Sequence, residues 1–134
     1  MRTRQVFLDR LDAEMTPHDV VVVIDVLRSF STAAYAFAAG ASLIYPVETI
    51  AAARCLQAAM PDALTTGAVG GGDPIPGFDF GNTPTVFQNL RLDNRPLIQS
   101  TAAGAHGITR FNQGRARFAG SLVCARATAA AIAA

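Results

Sequence analysis

The chain has 134 residues, 51% of them apolar, and a formal net charge of +1. That length suits one domain with one core. The near-neutral balance, with no run of either sign, argues against nucleic acid or an anionic membrane as partner, since both call for a basic patch. Every basic residue is arginine. This excludes a Walker A phosphate loop, a Schiff-base enzyme and a receiver-type phosphoacceptor, each of which places a lysine beside the reacting group.

Met1 to Asp12 is charged and carries no apolar signal-peptide core. Apolar runs such as Val20 to Ile24 and Ala33 to Ala39 are too short to span a membrane, so a cytoplasmic protein is expected. Cys55 and Cys124 lie far apart, without metal-site spacing, and read as buried free thiols.

In chain order, His18 reads as a turn residue before Val20–Ile24, a continuous β-branched run that fits a strand covered on both faces. Ser29 to Ala39 reads as a helix closed by Gly40, and Ser42 to Val47 as a second strand. Thr49 caps a helix running to Met60, where Pro61 stops it. Ala63 to Thr66 reads as a third strand. Gly67 to Pro84 holds six glycines and three prolines; loops of that length are functional or disordered, and Phe78 and Phe80 favour one that packs on the body. Thr85 to Leu90 reads as a short helix, Pro96 to Gln99 as a strand, and Ala102 to Phe111 as a helix. Arg117 to Leu122 reads as a strand and Val123 to Ala134 as a last helix. The alternation predicts a single α/β domain over 1–134, a three-layer sandwich with a largely parallel central sheet flanked by helices. The chain stops inside an alanine-rich helix without a cap, which reads as an interrupted sequence.

Ligands of open parallel sheets bind beyond the carboxyl ends of the strands. Three polar clusters fall there and can converge on one cleft. Asp25-Val-Leu-Arg28-Ser29 puts a carboxylate at a strand end and a guanidinium and hydroxyl at a helix start, an arrangement suited to phosphate or sulfonate. Asp25 fits either a metal or a helix cap, and Arg28 either an anion or an ion pair with Asp25. In the glycine loop, Asp79 fits a metal ligand or general base and Asn82 an orienter of phosphate or water, a reading favoured by the loop's length and its place at the expected cleft; the alternative is a packed surface loop in which both make Asx-turns. Ser100-Thr101-Ala-Ala-Gly104 offers hydroxyls and a glycine-adjacent backbone, or an ordinary N-cap. His106 suits a general acid or an unremarkable helical histidine.

Familiar phosphatase patterns do not fit. A haloacid-dehalogenase-type DxD fails at Leu27. A Cys-x5-Arg thiol site finds Pro61 and Ala130 where the arginine should stand. Gly70-Gly71-Gly72 precedes Asp-Pro-Ile-Pro, not a helix. Metal-assisted attack by water remains.

Val21 to Ala33, Gly40-Ala41, Pro46-Val-Glu48, Ile75-Pro-Gly-Phe-Asp-Phe-Gly-Asn-Thr-Pro84, Ser100 to Ala105 and Ser121 to Ile132 together resemble the 2-phosphosulfolactate phosphatases, the ComB family. The resemblance covers most of the chain, and its Ile75–Pro84 block is the most specific part. It implies a Mg2+-dependent phosphoric monoester hydrolase of coenzyme M biosynthesis, converting 2-phospho-3-sulfolactate to 3-sulfolactate and phosphate. By that resemblance Asp25 and Asp79 are the catalytic, metal-side carboxylates. Arg28, Ser29, Asn82, Ser100, Thr101 and Gly104 contact the small anionic phosphorylated substrate. The chain departs from the family at Ala68, where a glutamate is usual, at Ala103, where asparagine is usual, and at Ala105, where threonine is usual. It also lacks a C-terminal segment of the longer family members, and the face so exposed implies a homo-oligomer. The alternative is a truncated or decayed relative that binds a phosphate or sulfonate anion without turnover. A flavin- or nucleotide-binding module lacks its glycine fingerprint here.

Overall fold

The computed structural model describes residues 3–7, 20–110 and 114–134. The turn expected at His18, most of the leading segment and Phe111 lie outside those residues. The described chain runs β1 (Val20–Ile24), α1 (Ser29–Ala38), β2 (Ile44–Val47), α2 (Ile50–Ala59), β3 (Leu64–Ala68), β4 (Phe80–Gly81), β5 (Leu97–Thr101), α3 (Gly104–Arg110), β6 (Ala116–Gly120) and α4 (Ala125–Ala133).

Local chemistry accounts for the element ends. Gly40 adopts φ +97 and closes α1. Its N–H reaches the Phe37 carbonyl at 3.0 Å, and the Ala41 N–H reaches that of Ala36 at 3.0 Å, the paired bonds of a left-handed glycine cap. The Thr49 hydroxyl accepts from the Ala52 N–H at 3.0 Å, a cap worth about 1 kcal/mol. Pro46 sits inside β2 and is tolerated because β2 is an edge strand.

All strand ladders among the described residues are parallel. Four strands order as β2-β5-β3-β4, and β1 pairs with β6 as a separate ribbon. Leu97 packs with Ala36, Phe87 and Leu92 under α1, while Ile98 packs with Ala53 and Ala63 under α2. Successive strand residues point to opposite faces, so α1 and α2 cover opposite sides of the four-stranded sheet. The expected α/β sandwich is thus observed. Leu97 and Ile98 are both fully buried, and truncating either to alanine removes about 2–5 kcal/mol.

Several expectations need correction. Val20, Val22 and Ile24 of β1 are exposed, Ile24 to 72%, so this β-branched run is covered on one face only. Among the described residues β1 pairs only with β6, in a ribbon two strands wide. The cysteines are free, but Cys55 is exposed and Cys124 half-exposed. Cys55 lies two positions past the buried Ala53, about 200° round the helix from the core. Ser100 and Thr101 are not beyond their strand. They continue β5 because Gly67 and Ala68 still pair with them, which delays α3 to Gly104. The expected helix at Thr85–Leu90 is a single 3-10 turn, Pro84–Phe87.

Candidate active site

The strand pleat sorts the polar residues. On β5, Leu97, Gln99 and Thr101 face α1, and Ile98 and Ser100 face α2. On the α1 side three elements meet. The Asp25 N–H extends the β1–β6 ladder to the Gly120 carbonyl at 3.0 Å, which leaves its side chain at the carboxyl end of the ribbon. Asp25 Oδ1 accepts from the Ser29 N–H at 3.2 Å, in the first turn of α1. Ser29 Oγ lies 3.0 Å from Thr101 Oγ1, which also accepts from the Ala105 N–H at 2.9 Å. A Cβ at Gly104 would lie 2.5 Å from Ser29 Oγ and 2.8 Å from Asp25 Oδ2. Glycine is therefore what lets α3 begin directly against the carboxylate.

Arg28 closes the outer side. Its Nη1 donates to Thr83 Oγ1 at 3.2 Å and its Nη2 to the Gly72 carbonyl at 3.3 Å. One side chain thereby ties Gly72 and Thr83, which flank β4 and the turn before it, to the start of α1. Gly72 has φ +96 and a side chain there would collide with the guanidinium. Among the described residues two of the five guanidinium N–H groups make these bonds, and the other donors suit an anion.

The residues expected to touch substrate divide by depth. Asp25 and Arg28 are half-exposed. Ser29 is 0% exposed, Thr101 6%, Ser100 4% and Asn82 7%, and Gly104 is buried. Ser29, Thr101 and Gly104 meet beneath Asp25, whereas Ser100 points to the α2 side. Asn82 Oδ1 is buried and has no hydrogen-bond partner among the described residues.

Asp79 does not join the cluster. Its Oδ2 accepts from the Thr65 N–H at 2.8 Å and the Thr65 hydroxyl at 2.7 Å, while its own N–H reaches Thr65 Oγ1 at 2.9 Å. Thr65 pairs with Ile98 and so faces α2. It also lies three positions before the carboxyl end of β3. The loop crosses that face, with Ile75 and Phe78 against Gly67 and the Pro76 carbonyl accepting from Arg54 on α2 at 3.3 Å. The structure thus separates two carboxylates that sequence reasoning placed in one site.

Sequence reasoning missed two features. Gln99, on the α1 side, donates from Nε2 to the Ser29 carbonyl at 3.0 Å; the signal was a glutamine inside a buried strand. Ser121 and Cys124 bracket the 3-10 turn that leads into α4, immediately after Gly120, whose carbonyl receives the Asp25 N–H. Burial pushes the Cys124 thiol up, but hydrogen bonds with the Ser121 hydroxyl and N–H and with Thr128 outweigh it and hold the thiol below its ordinary value.

The profile of the family described as 2-phosphosulpholactate phosphatase matches residues 7–134. The chain belongs to this family. It is 42% identical over 109 residues to a probable 2-phosphosulfolactate phosphatase of Carboxydothermus hydrogenoformans, covering 81% of this chain and 44% of that protein. A probable 2-phosphosulfolactate phosphatase of Caldicellulosiruptor saccharolyticus is 33% identical over 108 residues, covering 81% and 44%, and one of Bacillus subtilis 39% over 90 residues, covering 67% and 39%. The chain therefore spans less than half the length of these curated relatives.

In this phosphatase-family chain the donor set bears on a divalent cation. Among the described residues no group of three or more His, Cys, Asp or Glu side chains could hold a metal. Ala68 pairs with Thr101 and so faces the cluster without contributing a ligand. Magnesium is commonly held by one or two carboxylates plus the substrate's phosphate and water. Asp25 fits that kind of shared binding; it does not make a cage by itself. No helix among the described residues is long and apolar enough to cross a membrane.

Proposed function

We propose that the chain carries the Asp25–Arg28 part of a phosphoric monoester hydrolase site, acting on 2-phosphosulfolactate in the cytoplasm to give 3-sulfolactate and phosphate, a step of coenzyme M biosynthesis. One observation carries the reading. A carboxylate and a guanidinium with spare donors stand half-exposed at one ribbon end, and the hydroxyls and glycine around them lie buried as their support.

Arg28 pairs with phosphate or sulfonate oxygens through its remaining N–H groups. The helix start at Ser29 adds the partial positive charge of its free amides. Asp25, fixed by the Ser29 N–H, would hold Mg2+ jointly with the phosphate. Bound there, Mg2+ would neutralise charge developing on the phosphoryl oxygens. Water attacks phosphorus, the bond to the C2 oxygen breaks, and the alkoxide takes a proton to become the sulfolactate hydroxyl. The same reading expects a small sulfonated phosphoester as ligand, no nucleic acid or membrane partner, and a homo-oligomer.

The second reading, anion binding without turnover, is favoured by Ala68: position 68 faces Thr101 and supplies no carboxylate. Phosphate release from 2-phosphosulfolactate, measured with Mg2+ and with EDTA, separates the two. Release that requires Mg2+ and disappears in Asp25→Asn supports the hydrolase. A folded protein that binds phosphate but releases none supports the second reading.

A further inference from the structure

Gln99 is 1% exposed, in the middle of a strand whose neighbours Leu97 and Ile98 are apolar. An amide buried so deeply costs stability unless it is hydrogen-bonded, and an aliphatic side chain of the same size would fill the space without that cost. Its Nε2 donates to the Ser29 carbonyl at 3.0 Å. Ser29 is then held on every side: its carbonyl by Gln99, its hydroxyl by Thr101, its side chain against Gly104, and its N–H on Asp25 Oδ1. The last contact is the only one that reaches a half-exposed group.

We infer that Gln99 is a positioning residue: by fixing the Ser29 main chain from inside the sheet, it orients the Asp25 carboxylate at the surface. The inference rests on the reading of Asp25 as the working carboxylate. The network spans β5, the first turn of α1 and the end of β1, so it couples the four-stranded sheet to the separate β1–β6 ribbon. Gln99 touches no ligand; it acts through Ser29.

The test is Gln99→Met, which keeps the length of the side chain and removes the donor. In the wild-type chain the Ser29 amide should be protected from hydrogen exchange and shifted downfield by the carboxylate. In Gln99→Met it should exchange about tenfold faster or more and move upfield, while the amides of Leu64 and Ile98 keep their protection. A Ser29 amide unchanged in both respects in the folded variant overturns the proposal. Should Gln99→Met fail to fold, Gln99→Glu decides. Its carboxyl donates to the Ser29 carbonyl when protonated and not when ionised, so the Ser29 amide should be wild-type-like at acidic pH and lose its protection as pH rises. Protection that follows the wild type at every pH overturns the proposal. Neither measurement requires turnover, so an inactive wild-type chain would sink the hydrolase reading while leaving this result to stand or fall by itself.

Discussion

On the α1 face of the sheet, Asp25 accepts one backbone N–H and stands half-exposed beside an arginine with donors to spare. On the α2 face, Asp79 accepts a backbone N–H and a hydroxyl from a single threonine and returns its own N–H to that hydroxyl. The first carboxylate is oriented by one bond and keeps capacity for a ligand. The second accepts two bonds from one strand residue, and the Asp79 N–H adds a third. Asp79 lies in a glycine-rich loop and Asp25 in a short polar stretch after a strand, and neither neighbourhood says which carboxylate is clamped. The difference teaches that a loop aspartate reciprocally bonded to a strand hydroxyl fixes the loop, whereas Asp25, at a helix start, is held by one bond among the described residues and stands half-exposed.

Substitution at the two sites should separate them. Asp25→Asn keeps size and loses charge; phosphate release should fall by about a hundredfold or more, the scale of one oriented electrostatic partner, with the unfolding midpoint little changed. Gly104→Ala attacks the same site by packing. The new methyl meets Ser29 and Asp25 within 3 Å, and overpacking of this kind costs about 1–3 kcal/mol, visible in urea unfolding together with loss of phosphate binding. If Gly104→Ala kept both, α3 would not start as close to Asp25 as described.

Asp79→Ala should do the reverse. Hydrogen bonds to a charged group contribute about 1.5–3 kcal/mol where buried. Asp79 is itself exposed, so a loss of about 1 kcal/mol in urea unfolding is expected, with phosphate binding unchanged. Abolished binding with unchanged stability would return Asp79 to the site and erase the contrast.

The smallest effect concerns Cys124, at the ribbon end that Asp25 shares. Its thiol is held below the ordinary value by Ser121 and Thr128. A depressed value favours the thiolate in the folded state. The resulting stabilisation is present above the unfolded-state value and is lost as pH falls through the folded one. Iodoacetamide alkylation of Cys124 should therefore rise at lower pH than in a denatured control, and Ser121→Ala should move that rise upward. Coincident profiles for folded and denatured chain would show that Ser121 does not hold the thiol.

Element order and type were legible where they are local, but the two-residue strand Phe80–Gly81 and the 3-10 turn Pro84–Phe87 were not. Continuous β-branched runs, the Thr49 cap and the Gly40 stop act within a few residues, and helix α2 begins one residue after Thr49. Boundaries slipped where pairing partners decide them. Ser100 and Thr101 stay in β5 because Gly67 and Ala68, over thirty positions earlier, extend alongside them.

The sequence by itself determined an α/β chain with parallel strands, a capped α2, and Asp25 and Arg28 at a helix start, all consequences of neighbours in the chain. Only the tertiary structure decided which polar residues share a face. That depends on the two-residue pleat of β5 and β3 and on their register, which put Gln99 and Thr101 on the α1 face and Thr65, which holds the exposed Asp79, on the α2 face. It also decided depth: Ser29, Thr101 and Gly104 read as polar motif residues, yet three elements converge on them and bury them, so the surface is left to the carboxylate they support and to the guanidinium held by Thr83 and Gly72.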